Sequence, residues 1–122
     1  MELAPSLADL ALARRFIRER LSDAPRDMVA DFEIIVSELL TNAVEHGPHG
    51  TLGVQLERNP SAVSLTVDSP SPGTELADAA TWSVADVDQV TGRGLGIVRR
   101  LADDVSVARN GDSLSITARR FF

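Results

Sequence analysis

Residues 25–48 read PRDMVADFEIIVSELLTNAVEHGP, and the fold turns on how that run is taken. Pro25 suits a first helical turn, where a missing N–H forfeits no partner, while Gly47 and Pro48 mark the end. Between them Met28, Phe32, Ile35 and Leu39 form one apolar ridge, which Ile34, Val36, Leu40 and Val44 widen beyond a narrow stripe. The spacing therefore predicts a central helix covered on more than one side. Through the same run Glu38, Asn42 and His46 recur at steps of four, on one face and about a turn apart. A carboxylate and an amide oxygen so placed can hold a hard cation such as Mg²⁺, which prefers oxygen ligands, keeps several waters and bridges to phosphate. Glu38 can alternatively serve as a general base. The plainer reading makes Asp31, Glu38, Thr41, Asn42 and Glu45 a solvated stripe and His46 a helix-end residue.

Working outward, Leu7, Leu10, Ala11, Ala13 and Ile17 keep helical spacing from Ser6 to about Leu21, with Arg14, Arg15, Arg18 and Arg20 on a basic side. That side reads as a solvated face or, less simply, as a docking surface. Two alternating runs follow, TLGVQLE at 51–57 and SAVSLTVD at 61–68, with a turn at Arg58-Asn59-Pro60-Ser61. From Ser69 to Thr91 prolines, small residues and acids show no sustained period, as in a long covering loop. Leu95, Val98, Leu101 and Ala102 predict a third helix, and a last hairpin pairs 104–109 with 113–119 through Asn110-Gly111. This succession predicts one α+β domain over 1–122, about three helices on one face of a mainly antiparallel four-stranded sheet.

Composition narrows the chemistry. A net charge of −6 disfavours nucleic acid, whose non-specific grip needs cationic side chains to displace phosphate counterions. All 12 basic residues are Arg, so the lysine of a P-loop is missing. Without cysteine there are no disulfides, thiolate zinc sites or cysteine nucleophiles. No apolar run is long enough to span a bilayer, and no basic flank leads an apolar block at the N-terminus. A cytoplasmic protein with no membrane partner is the expectation.

Two further stretches carry chemistry. Gly92-Arg-Gly94-Leu-Gly96 lets backbone approach a ligand closely just before a helix, which suits phosphate, although it lacks the strand that precedes a dinucleotide fingerprint. A plain glycine turn is the alternative. In Val67-Asp68-Ser-Pro-Ser-Pro-Gly73, Asp68 can accept a hydrogen bond from an exocyclic amine or simply cap a turn. Alternation along the strand turns Asp68 away from Val63, Leu65 and Val67 and puts Ser69 on their side, unless a bulge intervenes.

In this order, on this succession of elements, the three stretches resemble the ATP-binding domain of the gyrase, heat-shock chaperone, histidine kinase and MutL superfamily, from roughly Leu7 to Arg119. Within it the chain is most similar to small bacterial anti-sigma factors that double as protein-serine kinases, the RsbW type. The resemblance implies a helix-covered sheet with ATP and Mg²⁺ as cofactors. Glu38-Leu-Leu-Thr-Asn42-Ala-Val-Glu-His46-Gly47 corresponds to the N box, with Asn42 as the Mg²⁺ ligand and Glu38 as the base or water-positioning group. Gly92, Gly94, Leu95 and Gly96 would meet the phosphates through backbone amides, Arg93 would pair with a phosphate, and 74–91 would be the lid. Asp68 and Gly73 stand for the first glycine box at the adenine, and Ser113 for a threonine near it. That box is D-x-G-x-G in the family, whereas here four residues separate Asp68 from Gly73. The implied function is an anti-sigma factor and serine kinase whose partners are a sigma factor and an anti-sigma antagonist, with homodimer formation left open. The alternative is a non-catalytic partner-binding module with a degenerate nucleotide site. A catalytic domain of a sensor histidine kinase is a third reading, disfavoured because no dimerisation helix with a phosphoaccepting His precedes it.

Overall fold

A computed structural model of the chain describes residues 2–3, 7–46, 52–70, 95–110 and 113–122. Its elements are β1 (Glu2–Leu3), α1 (Leu7–Arg20), α2 (Arg26–His46), β2 (Leu52–Arg58), β3 (Ala62–Pro70), α3 (Leu95–Leu101), β4 (Asp104–Asn110) and β5 (Ser113–Phe121). The expected three helices and four antiparallel strands are there. A two-residue strand at the N-terminus, β1, adds an edge that the sequence pattern did not show. The sheet order is β1-β2-β3-β5-β4, with every described pair antiparallel.

Helix α2 forms the middle of the helical layer, packed between α1 and α3 and lying over β3 and β5. Pro25 stands just before its first turn, where the Pro25 carbonyl accepts the Val29 N–H at 3.1 Å. Met28, Phe32, Ile35 and Leu39 are buried as the ridge required, and Val36 and Leu40 widen it. Ile34 departs from the expectation: it is 44% exposed, because the apolar stripe turns toward the sheet and neighbouring helices. Ala13 and Ile17 of α1, and Leu21 just past its end, enter the core at steps of four, while Leu12 faces outward. The arginines of α1 are largely engaged within the chain. Arg15 pairs with Glu19 at 2.9 Å, Arg18 reaches Glu33 on α2 at 2.7 Å, and Arg20 lies over the Phe16 ring. Exposed pairs of this kind contribute on the order of 0–1 kcal/mol each, so apolar packing holds α1 in place.

The two hairpins follow from their turn residues. Asn59 Oδ1 accepts the N–H groups of Ser61 and Ala62 at 2.8 and 2.9 Å, closing the β2–β3 connection. In the last hairpin Asn110 still pairs with Ser113, so β4 runs one residue past the expected end at 109 and Asn110 belongs to the strand. Strand β3 also runs further than its alternation indicated. β5 pairs with it along its whole length, through Ser69 opposite Leu114 and Pro70 opposite Ser113, and a proline is tolerated at that last position. Asp68 is a strand residue as expected, and Ser69 and Pro70 extend the strand where a loop was expected to begin.

Sheet sidedness decides everything that follows. Val54, Val63, Leu65, Val67, Ile116 and Ala118 face the helices and close the core. The other face carries Ser64, Thr66, Asp68, Ser115 and Thr117, with the Thr66 and Thr117 hydroxyls 2.8 Å apart.

Candidate functional site

Asn42 lies one turn beyond Leu39, so it continues the series Met28, Phe32, Ile35, Leu39 rather than the wet side of α2. It is 7% exposed and is the buried polar residue among the described ones. Its Oδ1 is buried with no hydrogen-bond partner there. Such an atom is uncommon in a folded chain, because an unpaired buried acceptor costs about 1–3 kcal/mol. Glu38, one turn earlier, is half-buried.

The helix is pinned at its opposite end. Arg120 of β5, which stands across from Val63 of β3, donates to Asp31 and approaches Asp27 at 3.5 Å. From Asp31 to Asn42 α2 advances about 16 Å at 1.5 Å per residue, and β3 covers about 20 Å from Val63 to Ser69. Asn42 and Ser69 consequently occupy the same end of the two-layer domain. Ser69 stands opposite Leu114 on β5 and one step beyond the Gly53–Asp68 pair, which continues the register toward Leu52 on β2; both leucines are buried, on the helix-facing side of the sheet.

Asp68 lies on the other face, as alternation required. The Ser115 hydroxyl donates to Asp68 Oδ1. A Cβ built on Gly53, the neighbour on β2, would lie 3.5 Å from Asp68 Oδ2. Ser113 follows the same parity, two residues before Ser115. The structure thus brings Asn42, Glu38 and Ser69 to the helix-facing side and separates Asp68 and Ser113 from them. Leu95 is fully buried in the core at the start of α3, which leaves only its backbone for a ligand, and Gly96 is exposed with open space where a side chain would be. Gly73, Gly92, Arg93, Gly94 and the segment 74–91 lie outside the described residues.

An orphaned amide oxygen beside a carboxylate is a fitting donor pair for Mg²⁺ held mainly by water and phosphate. Among the described residues no group of three His, Asp or Glu side chains forms a cation cage. The burial of Asn42 was visible in principle as its place seven residues after Ile35 and three after Leu39. Reading it with Asp31 and Glu45 as one polar stripe hid that phase. Among the described residues no helix is long and apolar enough to cross a membrane.

No curated protein matches the chain. The family model of the histidine kinase-like ATPase domain matches residues 3–120, from β1 almost to the end of β5. The chain belongs to the histidine kinase-like ATPase domain family, and that membership implies ATP binding, typically with Mg²⁺.

Proposed function

We propose that the chain is an ATP-dependent regulatory protein of the RsbW type, an anti-sigma factor that transfers phosphate to a serine of an antagonist protein. The observation that carries the nucleotide part is the buried, unpartnered Asn42 Oδ1 at the end of an otherwise apolar stripe. The regulatory part rests on the N-box resemblance and on family membership.

In this reading Asn42 offers its amide oxygen to Mg²⁺, and Glu38 stands one turn away as the base. Mg²⁺, when bound, supplies charge neutralisation at the phosphate oxygens. The antagonist serine Oγ bonds to the γ-phosphorus, its proton passes to the Glu38 carboxylate, and the bond to the β,γ-bridging oxygen breaks to release ADP. Such a transfer depends on positioning and electrostatics more than on covalent help from the protein. The basic side of α1 is the proposed docking surface for a sigma factor.

Calorimetric titration with ATP and Mg²⁺ tests the reading. Binding by the wild type that is lost at least tenfold in Asn42→Ala supports it. No heat with either protein removes it.

A second reading, a non-catalytic partner-binding module, is favoured by one observation: the Asp68 carboxylate is turned from the helix layer and engaged by Ser115. Phosphorylation of an antagonist separates the two. Label appearing on the antagonist serine, and lost in Glu38→Gln, supports the kinase, whereas ATP binding without transfer supports the module.

A further inference from the structure

We infer that Ser69, rather than a carboxylate, meets the nucleobase, and that the site therefore binds adenine and guanine nucleotides nearly alike. The inference rests on the ATP-site reading above and deepens it. Three observations lead to it. Ser69 is on the helix-facing side of β3, at the same end of the domain as Asn42. Its partner on β5, Leu114, and Leu52, reached by continuing the β2 register one step past Gly53–Asp68, are both buried. The only carboxylate nearby on β3, Asp68, is on the opposite face with its Oδ1 hydrogen-bonded to Ser115.

Hydrogen-bond chemistry turns that placement into a specificity. An ionised carboxylate only accepts, so it suits the exocyclic amine of adenine and repels the carbonyl oxygen that guanine carries at the corresponding edge. A serine hydroxyl donates as readily as it accepts, and it rotates to suit either edge. The leucine walls contact the face of a purine ring regardless of its substituents. Discrimination by the polar edge is then lost, since selectivity needs a group that penalises the wrong partner. What remains selective is the other end, where Asn42 and Glu38 would serve the metal and phosphates.

Fluorescence titration with the methylanthraniloyl derivatives of ATP and GTP, in the presence of Mg²⁺, reads this directly. The expected result is a ratio of dissociation constants within about threefold for the wild type, consistent with loss of one charged hydrogen-bond preference. Inorganic triphosphate should compete with both nucleotides. Ser69→Asp should raise the preference for ATP to tenfold or more. A wild-type preference for ATP of tenfold or more overturns the inference and leaves the ATP site standing. Absence of binding by either nucleotide overturns the site itself. A folded Ser69→Asp protein, verified by circular dichroism, that stays as indifferent as the wild type removes Ser69 from the base position. Should that variant not fold, Ser69→Ala serves: it should weaken both nucleotides equally, and unequal weakening counts against the assignment.

Discussion

The two ends of α2 are built on opposite principles. At its N-terminal end the acidic groups have partners: Arg120 bridges to Asp31 and Asp27, and nearby Arg58 pairs with Asp23 at 2.5 Å and lies over the Phe122 ring. At its C-terminal end a primary amide is buried with its oxygen unpartnered. The first arrangement is satisfied by partners that the fold itself supplies. The second is a liability unless something binds there, since the same position filled by leucine would extend the apolar stripe. One end is therefore explained by stability and the other is not, and that contrast is the physical reason to look for a ligand beside Asn42.

The middle of the helix sets the scale for both ends. Phe32 is fully buried at the centre of the core, and Phe32→Ala should lower unfolding free energy by about 3–5 kcal/mol in urea. Asn42→Leu sharpens the comparison most directly. Removing an unsatisfied amide from an apolar neighbourhood should raise stability by about 1–3 kcal/mol while abolishing Mg²⁺-dependent nucleotide binding. A loss of stability instead would show that the Asn42 oxygen is satisfied by the protein and would dissolve the contrast. At the closed end, Arg120→Ala leaves Asp31 half-buried beside apolar neighbours. Urea melts should show a loss of about 1–2 kcal/mol, larger at low salt than at high.

These same residues show what the sequence could and could not disclose. The helical ridge, the two hairpins and the α+β succession were legible because each rests on local periodicity and turn chemistry. The sidedness of Asp68 and Ser69 was legible too, since strand alternation is a property of the backbone. The length of β3 was not. Its last residues look like loop in isolation, and only pairing with Leu114 and Ser113 on β5 holds them in the sheet. β1 was invisible for the same reason, two residues being too few to carry a pattern without β2 beside them. Asn42 was half-legible: its spacing named it as a candidate ligand and its phase after Ile35 and Leu39 pointed toward the core, but how far along α2 the core extends is contained in no local window. Glu38 shares its face yet remains half-buried, so the stripe the two residues form is wet at one turn and dry at the next.

The smallest expected effect lies in the Asp23–Arg58 pair, and it tests whether the closed end is held by charge or by packing. The hydrogen bond from the Arg58 guanidinium, helped by a backbone N–H, holds the Asp23 carboxyl below its ordinary value. A carboxylate lowered in the folded state adds stability that is complete above the unfolded value and disappears as pH falls through the folded one. Arg58→Ala should therefore return Asp23 toward the ordinary carboxylate value, as followed by NMR titration of its carboxyl carbon. The acid limb of the stability curve should barely move, because Asp23 is open to solvent and screened. A pronounced flattening of that limb in the variant would mean that surface charge, rather than the Phe32 core and the Arg120 bridge, fixes this end of α2. The two ends would then differ in degree and not in kind.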